Sequence, residues 1–358
     1  MIGRGALLLA LVAAVAAGTA QARPAAYPKT RAALADLVKA GAPGAVVLVR
    51  KGGSTTVLAA GVADRKTHRP IQPDDRFRVG SITKSFVATV VLQLVGEQKL
   101  ALSDAVARFL PGLLPSGDRI TVRELLNHTS GLYDYSGDPR VAAPYLKGNL
   151  GYRWAPRRLV AIAVEHGQLF PPGTRWYYSS TNYVVLGLIV EAVTKHTLES
   201  ELTHRILGPL RLHATRFGAD ANMGSPAAHG YYKGRDVTPV SFSWAWGAGS
   251  MVSTAADVAH FYRALFGGKL LRPQQLKQME TTVTGAGGDY GLGLWERPLL
   301  CGEAWGHLGE TTGYRSFAWS SRDGRHQTVV LATTTSTPAA PEVETALAAL
   351  ADAAFCGS

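Results

Sequence analysis

What this 358-residue chain has little of narrows its chemistry first. It holds only two cysteines, Cys301 and Cys356, with no C-x-x-C spacing, which weighs against thiol redox catalysis and a cysteine-built metal site. No G-x-S-x-G occurs, the strained turn on which α/β-hydrolases raise their nucleophile, and no H-E-x-x-H, the helical spacing of zinc peptidases. Lysine and arginine are scattered, so the net charge of +11 does not form a nucleic-acid-binding tract. Attraction to an anionic cell envelope, whose substrates carry carboxylates, suits that excess better. There is no internal repeat and no low-complexity linker. Ala339 to Phe355 is apolar but interrupted by Glu342, Glu344 and Asp352, so it is not a membrane span.

What is present begins with Arg4, an apolar run from Ala6 to Ala17, and Ala20-Gln21-Ala22. That order is the pattern of a secretory signal peptide, residues 1–22; an uncleaved N-terminal anchor is the other reading of the same residues. The remainder, 23–358, is then secreted, with no membrane span. In an oxidising compartment Cys301 and Cys356 most simply form one disulfide, two free buried thiols being the alternative. Hydrophobic residues make up 46%, enough for one large domain or two lobes sharing a cleft.

The spacing of apolar residues predicts a helix from Arg31 to Ala40, ending at Gly41, then a β-hairpin across Lys51-Gly52-Gly53. Ser81 to Val95 reads as a wholly buried helix. Thr121 and Glu124 form a capping box. Further helices are expected over 157–165, 183–194 and 199–206, after Thr254, and from Pro341 to Phe355. Strands are expected at 249–253, 291–295, 314–320 and 327–333. Strands at both ends with helices between them imply one sheet assembled from the two termini, and a cleft against the helical part is where a small-molecule site belongs.

Ser81 and Lys84 stand three apart on the buried helix, so hydroxyl and ammonium share a face at its positive end. Phe86, Val87, Val90 and Val91 would bury Lys84 and let it accept a proton, which a serine nucleophile needs. Such a spacing also arises by chance, as an N-cap serine beside a solvated lysine. The surrounding text gives it weight. Gly80-Ser81-Ile82-Thr83-Lys84, Tyr178-Ser179-Ser180 after Pro172-Gly173-Thr174, and Gly306-His307-Leu308-Gly309 occur in that order. Together with Asn127-His128-Thr129-Ser130-Gly131-Leu132 and Tyr290-Gly291-Leu292-Gly293-Leu294, they resemble the motifs of the penicillin-recognising serine hydrolases, the D,D-peptidases and serine β-lactamases. The likeness covers roughly residues 30 to 357 and is strongest to secreted actinobacterial D-alanyl-D-alanine carboxypeptidases, the cysteine pair included.

The resemblance implies an α/β (α+β) fold, an antiparallel sheet flanked by helices (sheet lobe 23–80 and 245–358, helical lobe 81–244). It implies acylation of Ser81, proton transfer shared by Lys84 and Tyr178, and His307 on the sheet edge completing the network or binding a carboxylate. The backbone N–H groups of Ser81 and Glu310 would form the oxyanion hole. Ser180, Trp244, Trp295, Leu308 and Gly309 would bind substrate, with core packing as the other reading of Trp244. No metal or cofactor is implied, and a monomer is expected. His68, His166 and His326 read as surface or packing residues.

Three positions depart from the family pattern. Ser180 replaces a two-ended amide, Trp295 stands where an arginine would grip a terminal carboxylate, and Leu308 replaces a hydroxyl residue; Arg297 would share the face of Trp295. An apolar patch of Leu308 and Trp295 would suit a less anionic acyl substrate, while the motif set as a whole implies a penicillin-sensitive D,D-carboxypeptidase/transpeptidase acting on D-Ala-D-Ala cell-wall peptides. The alternatives are an esterase, D-aminopeptidase or β-lactamase of the same fold, and a non-catalytic penicillin- or peptidoglycan-binding protein.

Overall fold

A nine-stranded antiparallel sheet is assembled from both ends of the chain in this computed structural model, which describes residues 27–285, 288–299 and 301–357. The segment read as a signal peptide lies outside the described residues. Three strands come from the N-terminal part: β1 (Gly44–Lys51), β2 (Ser54–Asp64) and β3 (Arg69–Pro70). Six come from the C-terminal part: β4 (Val283–Gly285), β5 (Gly288–Tyr290), β6 (Trp295–Leu299), β7 (Gly302–Thr311), β8 (Tyr314–Ser320) and β9 (His326–Thr333). Their order is β3-β2-β1-β9-β8-β7-β6-β5-β4, so the two ends meet where Ala45 pairs with Ala332 and Val49 with Thr328.

β1 is apolar and buried at every position from Ala45 to Val49, so both of its faces meet a core, which explains its central place. Ala45, Val47 and Val49 face one core with α1 (Pro28–Lys39) and the C-terminal helix Pro341–Cys356; Val46 and Leu48 face the other, with the helical part. Burying each of these valine and leucine side chains stabilises by about 1.5–3 kcal/mol. Cys301 and Cys356 are bonded, with Cα atoms 5.5 Å apart, tying the approach to β7 to the last helix.

In the second core, α2 (Thr83–Gly96) is buried continuously from Thr83 to Leu92. A helix apolar on every side has no solvent face, and here it forms the axis around which the helical part packs. α3 (Ser180–Thr194) lies against it, likewise buried from Thr181 to Val190. The capping box at Thr121 is present in full, and Thr254 caps α4 (Ala255–Phe266). Among the described residues no helix is long and apolar enough to cross a membrane.

Two sequence expectations change and a third, the edge position of His307, is narrowed. Residues 291–294 are a turn rather than a strand: the Gly291 N–H donates to Leu294 O at 2.8 Å, and Gly293 has φ +82°. A Cβ on Gly293 would lie 2.5 Å from the Ala88 methyl, so alternation there reflects tight packing on α2. The stretch 249–253 begins as a helical turn, Trp246–Gly249, before the short strand Met251–Ser253. Finally, β7 is an interior strand. Its pairing with β6 stops at Gly306, so only from His307 to Thr311 is that flank an open edge.

Candidate active site

Gly80 sets the position of Ser81. Its φ of +52° belongs to the left-handed region, and a Cβ there would sit 3.0 Å from both N and O of Glu310. Glycine lets the turn Gly80–Ile82 approach β7 and leaves Ser81 at its surface. Thr83 locks the turn: its hydroxyl donates to Gly80 O at 2.7 Å and accepts the Met251 N–H at 3.1 Å.

Lys84 is fully buried, with Nζ 2.8 Å from Ser81 Oγ and 2.7 Å from Ala248 O. Burial lowers its pKa to about 7, with the Asp134 carboxylate pulling weakly the other way. Near neutrality a large share is therefore free amine, donating to Ala248 O and able to accept the Ser81 hydroxyl proton. The rings of Tyr178 and Tyr183 stand 4.9 and 5.6 Å from Nζ.

Tyr178 closes the other side of Ser81. Its hydroxyl is hydrogen-bonded to the Ser81 side chain, while desolvation pushes the phenol strongly upward and keeps it protonated. His128 supports its ring at 4.3 Å between centroids. That histidine, itself at φ +64°, accepts at Nδ1 from the Ser179 N–H (3.2 Å) and the Asn182 amide (2.9 Å), so its neutral tautomer carries the proton on Nε2. Burial, with Lys84 and His307 nearby, holds His128 well below the usual histidine range. Asn182 is thus spent on His128 and Ser130 and does not stand in for the missing amide at position 180.

His307 is also fully buried, and burial lowers its pKa to about 3. Nδ1 donates to the carbonyl of Leu308, which leaves Nε2 to accept the Tyr290 hydroxyl proton at 3.0 Å. It is a neutral side chain behind the cleft, its ring 6.4 Å from that of Tyr178.

The cleft in front has a volume of about 560 Å³. Ser81, Tyr178, Ser180, Trp244, Trp295, Leu308 and Glu310 all line it. Gly309 lies beneath, where a Cβ would meet Val79 O at 2.1 Å. Trp176 and Trp295 meet edge to face at 5.5 Å and wall the end beside Tyr178. Trp244 serves both readings, half-buried against Phe242 at 5.7 Å and exposed to the cleft. Arg297 does not reach the cleft: its guanidinium lies over Trp319 and 4.0 Å from Asp352.

Sequence reasoning passed over Asp134 and His128 as site residues. His128 lies within Asn127–Leu132, but only tertiary packing places it under Tyr178. Asp134 follows that motif by two residues. Its loop is stitched to the start of α3 by the Ser179 and Thr181 hydroxyls, both donating to Tyr133 O. The charged side chains lining the cleft are Asp134 and Glu310, and no lysine or arginine is among them. Glu310 pairs with Arg315 at 3.1 Å; among the described residues Asp134 forms no ion pair, accepting only the Ser136 N–H.

The chain is similar to known proteins over most of its length. Residues 26–353 match the Beta-lactamase family. A putative penicillin-binding protein of Bacillus subtilis is 31% identical over 299 residues, 82% of this chain and 71% of that one. The structure of a D-stereospecific amidohydrolase from Streptomyces sp. superposes with a TM-score of 0.85 at 38% identity, covering 93% of this chain and 99% of the other. The D-amino acid amidase of Ochrobactrum anthropi SV3, in complex with D-phenylalanine, gives 0.81 at 27% identity, with 91% and 97% covered.

Proposed function

Because this chain belongs to the beta-lactamase family of serine hydrolases, we propose that it is an exported D-stereospecific amidohydrolase, cleaving the amide of a D-amino acid whose α-amine is free. The observation that carries this reading is the charge of the cleft: an unpaired carboxylate, Asp134, and no cation in the lining. A D-Ala-D-Ala terminus presents a carboxylate, which needs a cationic partner; an ammonium needs the opposite. The amidohydrolase and the amidase with bound D-phenylalanine support the same substrate class. The disulfide supports export.

In this mechanism Lys84 takes the Ser81 proton as Oγ attacks the amide carbon. The N–H groups of Ser81 and Glu310 receive the developing oxyanion, a contribution of about 3 kcal/mol per donor in such sites. Tyr178, kept protonated by burial, donates to the leaving amine and is reprotonated through Lys84; water then enters by the reverse path. His307 and Tyr290 hold the floor of the cleft in place without exchanging protons with substrate.

A second reading, D,D-carboxypeptidase, is favoured by the similarity to a penicillin-binding protein. Two assays separate them: ammonia release from D-phenylalaninamide and D-alanine release from a diacylated Lys-D-Ala-D-Ala peptide, each beside Ser81→Ala. Ammonia release alone supports the amidohydrolase. D-Alanine release alone overturns it in favour of the carboxypeptidase.

A further inference from the structure

The catalytic cleft does not end at Trp244. A second cavity of about 560 Å³ opens on its far side, and Ser136, Trp244, Thr312 and Thr337 line both. Helix Pro139–Leu146 forms one wall and the hairpin of strands Tyr231–Tyr232 and Arg235–Asp236 another, with Val237 and Val240 at the bottom. Five large apolar side chains are well exposed among the described residues, and three of them fall at this cavity's mouth or beside it: Leu146 (72%), Leu150 (38%) and Tyr152 (36%). They are not loose. The Leu150 carbonyl accepts the Ser241 N–H at 2.8 Å, and Ser243 Oγ bonds both Tyr152 O and the Trp154 N–H. A groove apolar over most of its lining, with the exposed Arg235 and Asp236 as its charged members, held open by its own backbone and confluent with a catalytic cleft, is built to receive something apolar.

We propose that this groove is a specificity subsite for the apolar side chain of the acyl half of the substrate. The assignment rests on the amidohydrolase reading for its orientation. The leaving amine must sit beside its proton donor, Tyr178, at the Trp176–Trp295 end. The acyl residue then points the opposite way, with its ammonium toward Asp134 and its side chain over Trp244. A groove of this volume exceeds what a single phenyl ring fills, so the preferred acyl residues are bulky, aryl-substituted D-amino acids rather than D-alanine.

The test uses wild type and the variant Leu146→Glu/Leu150→Glu, which alters exposed side chains only. Both are assayed on the amides of D-alanine, D-phenylalanine and D-4-phenylphenylalanine, and on p-nitrophenyl esters from acetate to decanoate. Wild type is expected to prefer the larger acyl groups. The variant is expected to lose about ten-fold of that preference while turning over D-alaninamide and the acetate ester as before. If no amide is cleaved, the amidohydrolase reading fails by itself, and the ester series still decides whether the groove takes acyl chains. An unchanged size preference in both series overturns the proposal. So does an unchanged preference with an altered oligomeric mass by light scattering, which would make the groove a contact between copies of the chain.

Discussion

The buried lysine gives the sharpest quantitative expectation. An ordinary lysine titrates near 10.5, and burial brings Lys84 to about 7, so the charged form is disfavoured by about 5 kcal/mol. At pH 7.5 roughly three-quarters of Lys84 is then free amine, against about one part in a thousand for an unshifted lysine. That difference is the base on which acylation depends. The assay is kcat/KM for p-nitrophenyl acetate between pH 5 and 10, since this ester has no titrating group. The rate is expected to rise tenfold per pH unit up to about 7 and then level. His307 adds no second limb, because burial holds it neutral across the range, and burial moves His128 in the same direction. The same shift has a stability sign: between about 7 and 10.5 the unfolded chain holds a proton that the folded chain has lost, so Lys84 makes stability rise with pH in that window. A rate that keeps climbing past pH 9 would refute the reasoning, because it would mean that Lys84 stays charged in the folded enzyme.

Three further outcomes follow from the same geometry. Tyr178→Phe removes the proton donor to the leaving amine, so amide turnover should fall by about 10²–10⁴. Hydrolysis of the nitrophenyl ester, whose leaving group needs no proton, should fall much less. Asp134→Asn should raise KM for D-phenylalaninamide more than for an N-acetylated analogue. It should also move the Lys84 limb to lower pH, since Asp134 raises the Lys84 pKa. Reducing Cys301–Cys356, which spans 55 residues, should lower stability by up to about 4 kcal/mol in the chain-entropy picture, read as the denaturant midpoint.

Sequence patterns carried the frame well where a local rule decides the outcome. The short apolar run of β1, the almost wholly apolar stretch of α2 and the reciprocal cap at Thr121 each depend on neighbours in the chain, and each forms as expected. Lys84 meets Ser81 for the same reason: three residues of helical geometry suffice. Elsewhere contacts between distant segments decide. Residues 291–294 alternate as a strand would, yet turn because Gly293 must pass the Ala88 methyl. Arg297 shares a strand face with Trp295, but its guanidinium runs to Trp319 and Asp352 along that face instead of to the cleft. Asp134, on which substrate charge depends in this reading, reaches the cleft only through the hydroxyls of Ser179 and Thr181, 45 or more residues away. No spacing along the chain announces it.

The most direct test of a Ser81 nucleophile serving a free-amine D-substrate is covalent capture. The reagent is the diphenyl phosphonate analogue of D-phenylalanine, and the readout is peptide mass spectrometry. The account predicts one phosphonyl group per molecule, on the peptide bearing Ser81, formed faster than with the L enantiomer or the N-acetylated reagent and absent in Ser81→Ala. Labelling of a different residue, or equal labelling by the N-acetylated reagent, would contradict it.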